Sequence, residues 1–112
     1  MTDFKSADQG AREPDERVAF RLYIAGGAPN SLRAQTNLRS LCAKYLPDRH
    51  QIEVVDVLAD PHRALNDRIL VTPTLVKVSP LPGWQMAGDL SATDTILNLL
   101  GLEDEKRNDE RR

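Results

Sequence analysis

An α/β domain with the element order βαβαββα is predicted by three features of the chain. Phe20, Leu22 and Ile24 alternate with Arg21 and Tyr23, the period-two signature of a strand. Ala34, Leu38, Leu41, Cys42 and Tyr45 then fall at offsets 0, 4, 7, 8 and 11, which is one face of a helix. The stretch from Gln51 to Leu58 follows as a β-branched run carrying Ile52, Val54, Val55 and Val57. Strand, helix and strand in that order, joined by a crossover of this length, make a parallel βαβ unit.

Each boundary has a local cause. Ala25-Gly26-Gly27-Ala28-Pro29 breaks the first strand, and Asn30 or Ser31 is a natural N-cap for the first helix. Pro47 and Asp48 end that helix. The Gln51–Leu58 run is apolar on both faces toward its end, which predicts a central parallel strand covered on both sides. Asp60 as N-cap with Pro61 in the first helical position starts a short second helix containing Ala64 and Leu65. Ile69, Leu70 and Val71 lead into Thr72-Pro73, and Thr74 to Val78 reads as the third strand. Pro80-Leu81-Pro82-Gly83 turns the chain back into a fourth strand, Trp84 to Ala87, which Gly88 and Asp89 break. Ser91 with Asp94 three residues on has the pattern of a capping box. Ile96, Leu97, Leu99 and Leu100 give the last helix its apolar face, and Gly101 is suited to its C-terminal end. A parallel βαβ unit, then a hairpin and a closing helix, is the thioredoxin-like arrangement.

The foldable body is residues 18–102. Residues 1–17 hold almost no large apolar side chains, and residues 103–112 are a run of Glu, Asp, Lys, Arg and Asn. Neither stretch has the apolar surface to offset chain entropy, so both are expected to be mobile tails. A body of this size is marginally stable alone and gains from self-association or a partner. The formal net charge of -2 gives no basic footprint for nucleic acid. No apolar run approaches the ~18 residues that span a bilayer. The opening residues lack an apolar stretch behind a basic start, so no secretory leader is expected. One cysteine cannot close an internal disulfide, in keeping with a reducing, cytoplasmic setting.

Catalytic chemistry has few places to reside. A thioredoxin-type redox enzyme keeps its thiolate at the start of the first helix, where the helix N-terminus stabilises it. Here that segment, Ala25 to Ser31, has no sulfur. Cys42 lies about three turns further on, among Leu38, Leu41 and Tyr45, and reads as a core cysteine whose thiol pKa is raised. His50 and His62 are separated by a strand and have no cysteine partner, so they read as surface or cap residues rather than a metal pair. Gly26-Gly27 lacks the lysine and hydroxyl of a phosphate loop and reads as a tight turn, with a partner-contact loop second. Asp56 and Asp60 are an acid/base pair on paper, but a strand end and a helix cap by position. Thr72-Pro73 precedes the third strand, where thioredoxin-like folds hold a cis-proline. No metal or organic cofactor is expected.

Four segments, in this order, resemble the KaiB family: Leu22-Tyr23-Ile24-Ala25-Gly26 with Pro29-Asn30-Ser31; Val55-Asp56-Val57-Leu58 with Pro61; Ile69 to Leu75; and Gly88-Asp89-Leu90-Ser91. The resemblance implies a non-enzymatic protein that binds the first ATPase ring of the hexameric clock kinase KaiC and modulates its phosphorylation cycle. It also implies two folds. One is the thioredoxin-like monomer that binds KaiC. The other is a ground state, usually tetrameric, with the C-terminal half rearranged. Partner contacts are implied at Arg33, Arg39, Asp56, Leu58, Gly88 and Asp89, and a fold-switch region at Thr72, Pro73, Gly88 and Asp89. Arg33 and Arg39 read equally as solvated arginines on the polar face of the first helix. Trp84 is a core or tetramer anchor on one reading and a KaiC contact on the other.

The chain departs from the family pattern at Gly27-Ala28, at Ala59 and at Gly83-Trp84-Gln85, which removes positive charge and leaves a contact to KaiA open. Two other functions stay open beside the KaiC reading. One is a sensor or scaffold module acting in trans on a signalling kinase. The other is a glutathione-using enzyme, with the γ-glutamyl group on the backbone beside Pro73 and Ser31 near the bound thiol.

Overall fold

A computed structural model describes residues 17–102, and the expected tails lie outside them apart from Arg17. Four strands and three helices follow the predicted order: β1 (Val18–Ile24), α1 (Pro29–Tyr45), β2 (His50–Asp56), α2 (Pro61–Asn66), β3 (Thr74–Ser79), β4 (Trp84–Ala87) and α3 (Thr93–Leu100). The sheet order is β2-β1-β3-β4. β1 pairs parallel with β2, Leu22 opposite Val54, and antiparallel with β3, Leu22 opposite Leu75. β4 closes the hairpin with Leu75 opposite Met86.

Because side chains alternate across a strand, β1 divides the core in two. Phe20, Leu22 and Ile24 meet Leu38, Leu41 and Cys42 of α1 and Ile96 and Leu97 of α3. Each buried Leu or Ile in that layer contributes about 1.5–3 kcal/mol. Tyr23, with the opposite orientation, meets only Val55 and Ala64 in a smaller cluster flanked by Val57, Ile69 and Val76. The indole of Trp84 packs on the larger side, its ring centre 6.4 Å from that of Phe20.

Several expectations need correction. β2 is an edge strand, not the central one; Val55 is buried while Glu53 and Val54 are exposed. The centre belongs to β1, because β3 returns to pair with β1 on its other side. The α1 N-cap position is Ala28, not Asn30 or Ser31, since Pro29 with its preset φ starts the helix. Freed from capping, Asn30 Oδ1 accepts from Arg33 Nη2 at 2.8 Å and Ser31 Oγ accepts from the Ala25 N–H at 3.1 Å. The Ser91–Asp94 box does not form; α3 starts at Thr93 without a side-chain cap. The Ser91 N–H instead donates to Asp89 Oδ1 at 3.0 Å. Asp60 and Pro61 do occupy the N-cap and first positions of α2, though the Asp60 side chain makes no cap bond. The peptide bonds preceding Pro73, Pro80 and Pro82 are cis.

Candidate functional site

The C-terminal ends of the parallel strands β1 and β2 gather four connections on one side of the molecule: residues 25–28, 57–60, 67–73 and 88–92. Asp56, the last residue of β2, holds two of them. Its Oδ1 accepts from the Gly26 N–H at 3.1 Å and from the Leu58 N–H at 2.9 Å. The carboxylate thus faces inward as a tie between loops. Gly26 has φ +53°, and a Cβ there would stand 3.3 Å from Leu58 Cδ1. Leu58 itself points outward and is 72% exposed.

Gly88 and Asp89 join the other two connections to α1. Gly88 has φ +118°, a glycine conformation, and its N–H donates to the Pro73 carbonyl at 2.9 Å. Asn37 Nδ2 donates to the Asp89 carbonyl at 2.8 Å, and Arg33 Nε lies 3.9 Å from Asp89 Oδ2. Hydrogen bonds from Ser91, with Arg33 nearby, hold the Asp89 carboxyl below its usual range. Arg33, Asp89, Gly88 and Pro73 are therefore one contiguous group. Thr72 adjoins it in sequence. Arg39 is not part of it: six residues beyond Arg33, it lies about two-thirds of a turn around α1 and is exposed.

The most conspicuous surface at this end is apolar. Leu65 is 71%, Leu70 92% and Val71 56% exposed, and with Leu58 they form a collar. An open groove of about 340 Å³ runs between α2 and the segment before β3, lined by Val57, Pro61, Leu65, Ile69, Leu70 and Val71. Three of the collar residues were not singled out as site residues from the sequence. The available signal is that α2 has only six residues and turns one face, Ala64, to the sheet, so the neighbouring Leu65 has to face out.

Candidate reactive groups are placed differently. Ser31 is 1% exposed and its hydroxyl is engaged by Ala25, so it is not offered to a bound thiol. Cys42 is fully buried, and burial pushes its thiol up to about 11. His50 Nδ1 sits 2.7 Å from the Leu46 carbonyl, remote from His62 along the chain. Among the described residues no group of three or more His, Cys, Asp or Glu side chains is placed to hold a metal, and no helix is long and apolar enough to cross a membrane.

A βαβ unit and hairpin with a cis-proline before β3, and with no thiol where α1 begins, define a thioredoxin-like protein without the redox cysteines of that fold. Among solved structures, the N-terminal domain of Synechococcus elongatus SasA superposes with a TM-score of 0.65 at 22% identity, covering 80% of this chain and 85% of that one. Chloroplastic thioredoxin z gives a TM-score of 0.65 at 20% identity, covering 77% of each chain. At the sequence level the family model described as the KaiB domain matches residues 21–102. The circadian clock protein KaiB3 of Synechocystis sp. is 41% identical over 87 residues, 78% of this chain and 83% of that protein. The circadian clock oscillator protein KaiB of Synechococcus elongatus is 40% identical over 90 residues, 80% of this chain and 86% of that protein. The chain belongs to the KaiB family.

Proposed function

We propose that this protein is a non-enzymatic, cytoplasmic timing component that docks onto the first ATPase ring of a KaiC-like hexameric ATPase and modulates its phosphorylation cycle. The observation that carries the reading is the collar of Leu58, Leu65, Leu70 and Val71 around the loops of a KaiB-family chain. A monomer rarely leaves this many large aliphatic side chains in water at one end without a partner. Arg33, Gly88 and Asp89 flank the collar as the polar contacts, with Asp56 setting the loop that presents Leu58; Arg39 contributes from a separate part of α1.

The reading includes a second state in which the chain self-associates, up to a tetramer, with the part beyond Thr72 and Pro73 repacked. A partner that selects the thioredoxin-like monomer then binds with an affinity reduced by that state's population, which makes the exchange a delay element. Contact with KaiA is a further, separate interaction to be tested.

The test is co-elution of the pure protein with the KaiC-like ATPase of the same organism in the presence of ATP, over minutes to a day. A slowly forming complex, disrupted by Leu58→Asp or Leu70→Asp, is expected. Absence of any complex after a day's incubation overturns the reading. Size exclusion of the protein alone separates tetramer from monomer.

A further inference from the structure

We infer that Asp67 is a positioning residue: it clasps the strap of residues 68–73 to the sheet and so fixes where Leu70 and Val71 are presented. Its contribution to docking rests on the function proposed above. Its hold on the strap does not.

Two strands bond to this residue, which directly follows α2. The Asp67 carboxylate accepts from Arg21 Nη1 at 3.0 Å and from the Tyr23 hydroxyl at 2.5 Å, both on β1. The Asp67 carbonyl accepts from Gln85 Nε2 on β4 at 2.8 Å. Arg21 is itself fixed, because its Nε donates to Glu53 Oε1 on β2 at 3.0 Å, and Glu53 Oε2 accepts from Arg63 Nη1 on α2 at 2.6 Å. The Tyr23 oxygen also lies 3.1 Å from the Arg63 carbonyl, so the ring is held in one orientation beneath α2.

The strap that leaves this junction is tied at its two ends and bare between them. Ile69 N–H bonds to the Ala64 carbonyl, and at the far end Thr74 Oγ1 donates to the Val71 carbonyl while the Pro73 carbonyl accepts from Gly88. Between those points the N–H groups of Leu70, Val71 and Thr72 bond to no other described residue. Leu70 projects almost wholly into solvent. Half-exposed ion pairs of this kind add little to global stability. Their fixed geometry, converging on one residue from both sides of the strap, instead specifies position. A strap released from Asp67 is ordered only when a partner binds, and that ordering is subtracted from affinity.

The test uses the full chain and three variants. Tyr23→Phe removes one hydroxyl and keeps the ring, Asp67→Asn keeps the shape and removes the charge, and Gln85→Ala releases the carbonyl from an exposed position. Amide hydrogen exchange of the strap is read at Arg68, Ile69 and Gly88, whose N–H groups bond to the Leu65, Ala64 and Pro73 carbonyls, and is compared with that of α1, alongside the affinity for the KaiC-like ATPase. Each of the first two variants is expected to speed exchange in the strap about tenfold, with a smaller effect from Gln85→Ala, while α1 amides change less than about twofold. Affinity is expected to fall about tenfold. Unchanged exchange in the strap, or an equal rise in α1, overturns the clasp. Faster strap exchange with undiminished affinity overturns its part in docking. A wild-type chain that binds no ATPase overturns the docking reading, and the exchange measurements then decide the clasp on their own.

Discussion

Leu58 leans over Gly26 so closely that a methyl group on the glycine would be 3.3 Å from Leu58 Cδ1, while the Gly26 backbone sits at φ +53°. Two separate costs follow from one substitution. Gly26→Ala should lower stability by about 1–2 kcal/mol through the left-handed backbone alone, with crowding added. Urea denaturation measures the sum. Leu58→Ala made in the Gly26→Ala background should recover only the crowding part; full recovery would show that the backbone conformation is not the cause.

Arg68 should be replaceable to advantage. α2 and α3 end in the same way: Ile69 N–H bonds to the Ala64 carbonyl and Arg68 N–H to that of Leu65, just as Leu102 bonds to Leu97 and Gly101 to Asn98. The left-handed position is Gly101 at φ +77° after α3 but Arg68 at φ +59° after α2. Arg68→Gly relieves the Cβ clash at some cost in unfolded-chain entropy. A net gain of about 0.5–1 kcal/mol is expected in the urea midpoint.

Acid should loosen the α2 side of the sheet. Hydrogen bonds from Arg63, then Arg21, hold the Glu53 carboxyl at about 2 against an ordinary 4.5, and Tyr23 and Arg21 hold Asp67 below its usual range. A carboxyl with a depressed folded pKa stabilises the fold above its unfolded pKa. That contribution is lost as pH falls from 4.5 toward about 2. Glu53 is half-exposed, so screening limits its share to about 1 kcal/mol or less. Glu53→Gln should flatten the fall in urea midpoint between neutral pH and about pH 3.

Cys42 should resist alkylation in the native protein and react once urea exposes it, with a rate difference of more than about a hundredfold at neutral pH. Burial raises its thiol from 9.0 to about 11. The same shift favours the folded state below pH 9.0, and the benefit disappears as pH rises through about 11. Rapid native labelling would contradict this placement.

The parts of this structure that were legible in the sequence are those written in local periodicity. The α1 stripe places Ala34, Leu38, Leu41 and Cys42 in the core because a 3.6-residue period is a statement about one face. The element order, the Pro61 start and the Gly101 end were equally local. What escaped depends on distant pairing. Tyr23 read as the polar partner in an alternation, yet it is fully buried, because its hydroxyl meets an Asp67 that is 44 residues away. β2 reads as central because its run is apolar on both faces toward its end, and only the return of β3 to β1 decides the edge. Of the site, Arg33 and Asp89 came from motif resemblance; their proximity is a tertiary fact. Leu65, Leu70 and Val71 carry no site signal of their own, because an apolar residue signals burial until the length of the neighbouring helix says otherwise.

The two faces of the sheet are unequally insulated: among the described residues the hydrophobic cluster on one has twelve buried members and that on the other three. Warming or mild denaturant should therefore thaw them in sequence, the thin side first. The molecule carries its own reporters for this, since Tyr23 sits in the thin layer and the sole tryptophan, Trp84, rests against Phe20 in the thick one. In a Tyr45→Phe variant, which removes the tyrosine packed on the thick layer, the emission of Tyr23 should change at a lower temperature than that of Trp84, and the interval between the two is a direct gauge of how independently the α2 flank can peel away.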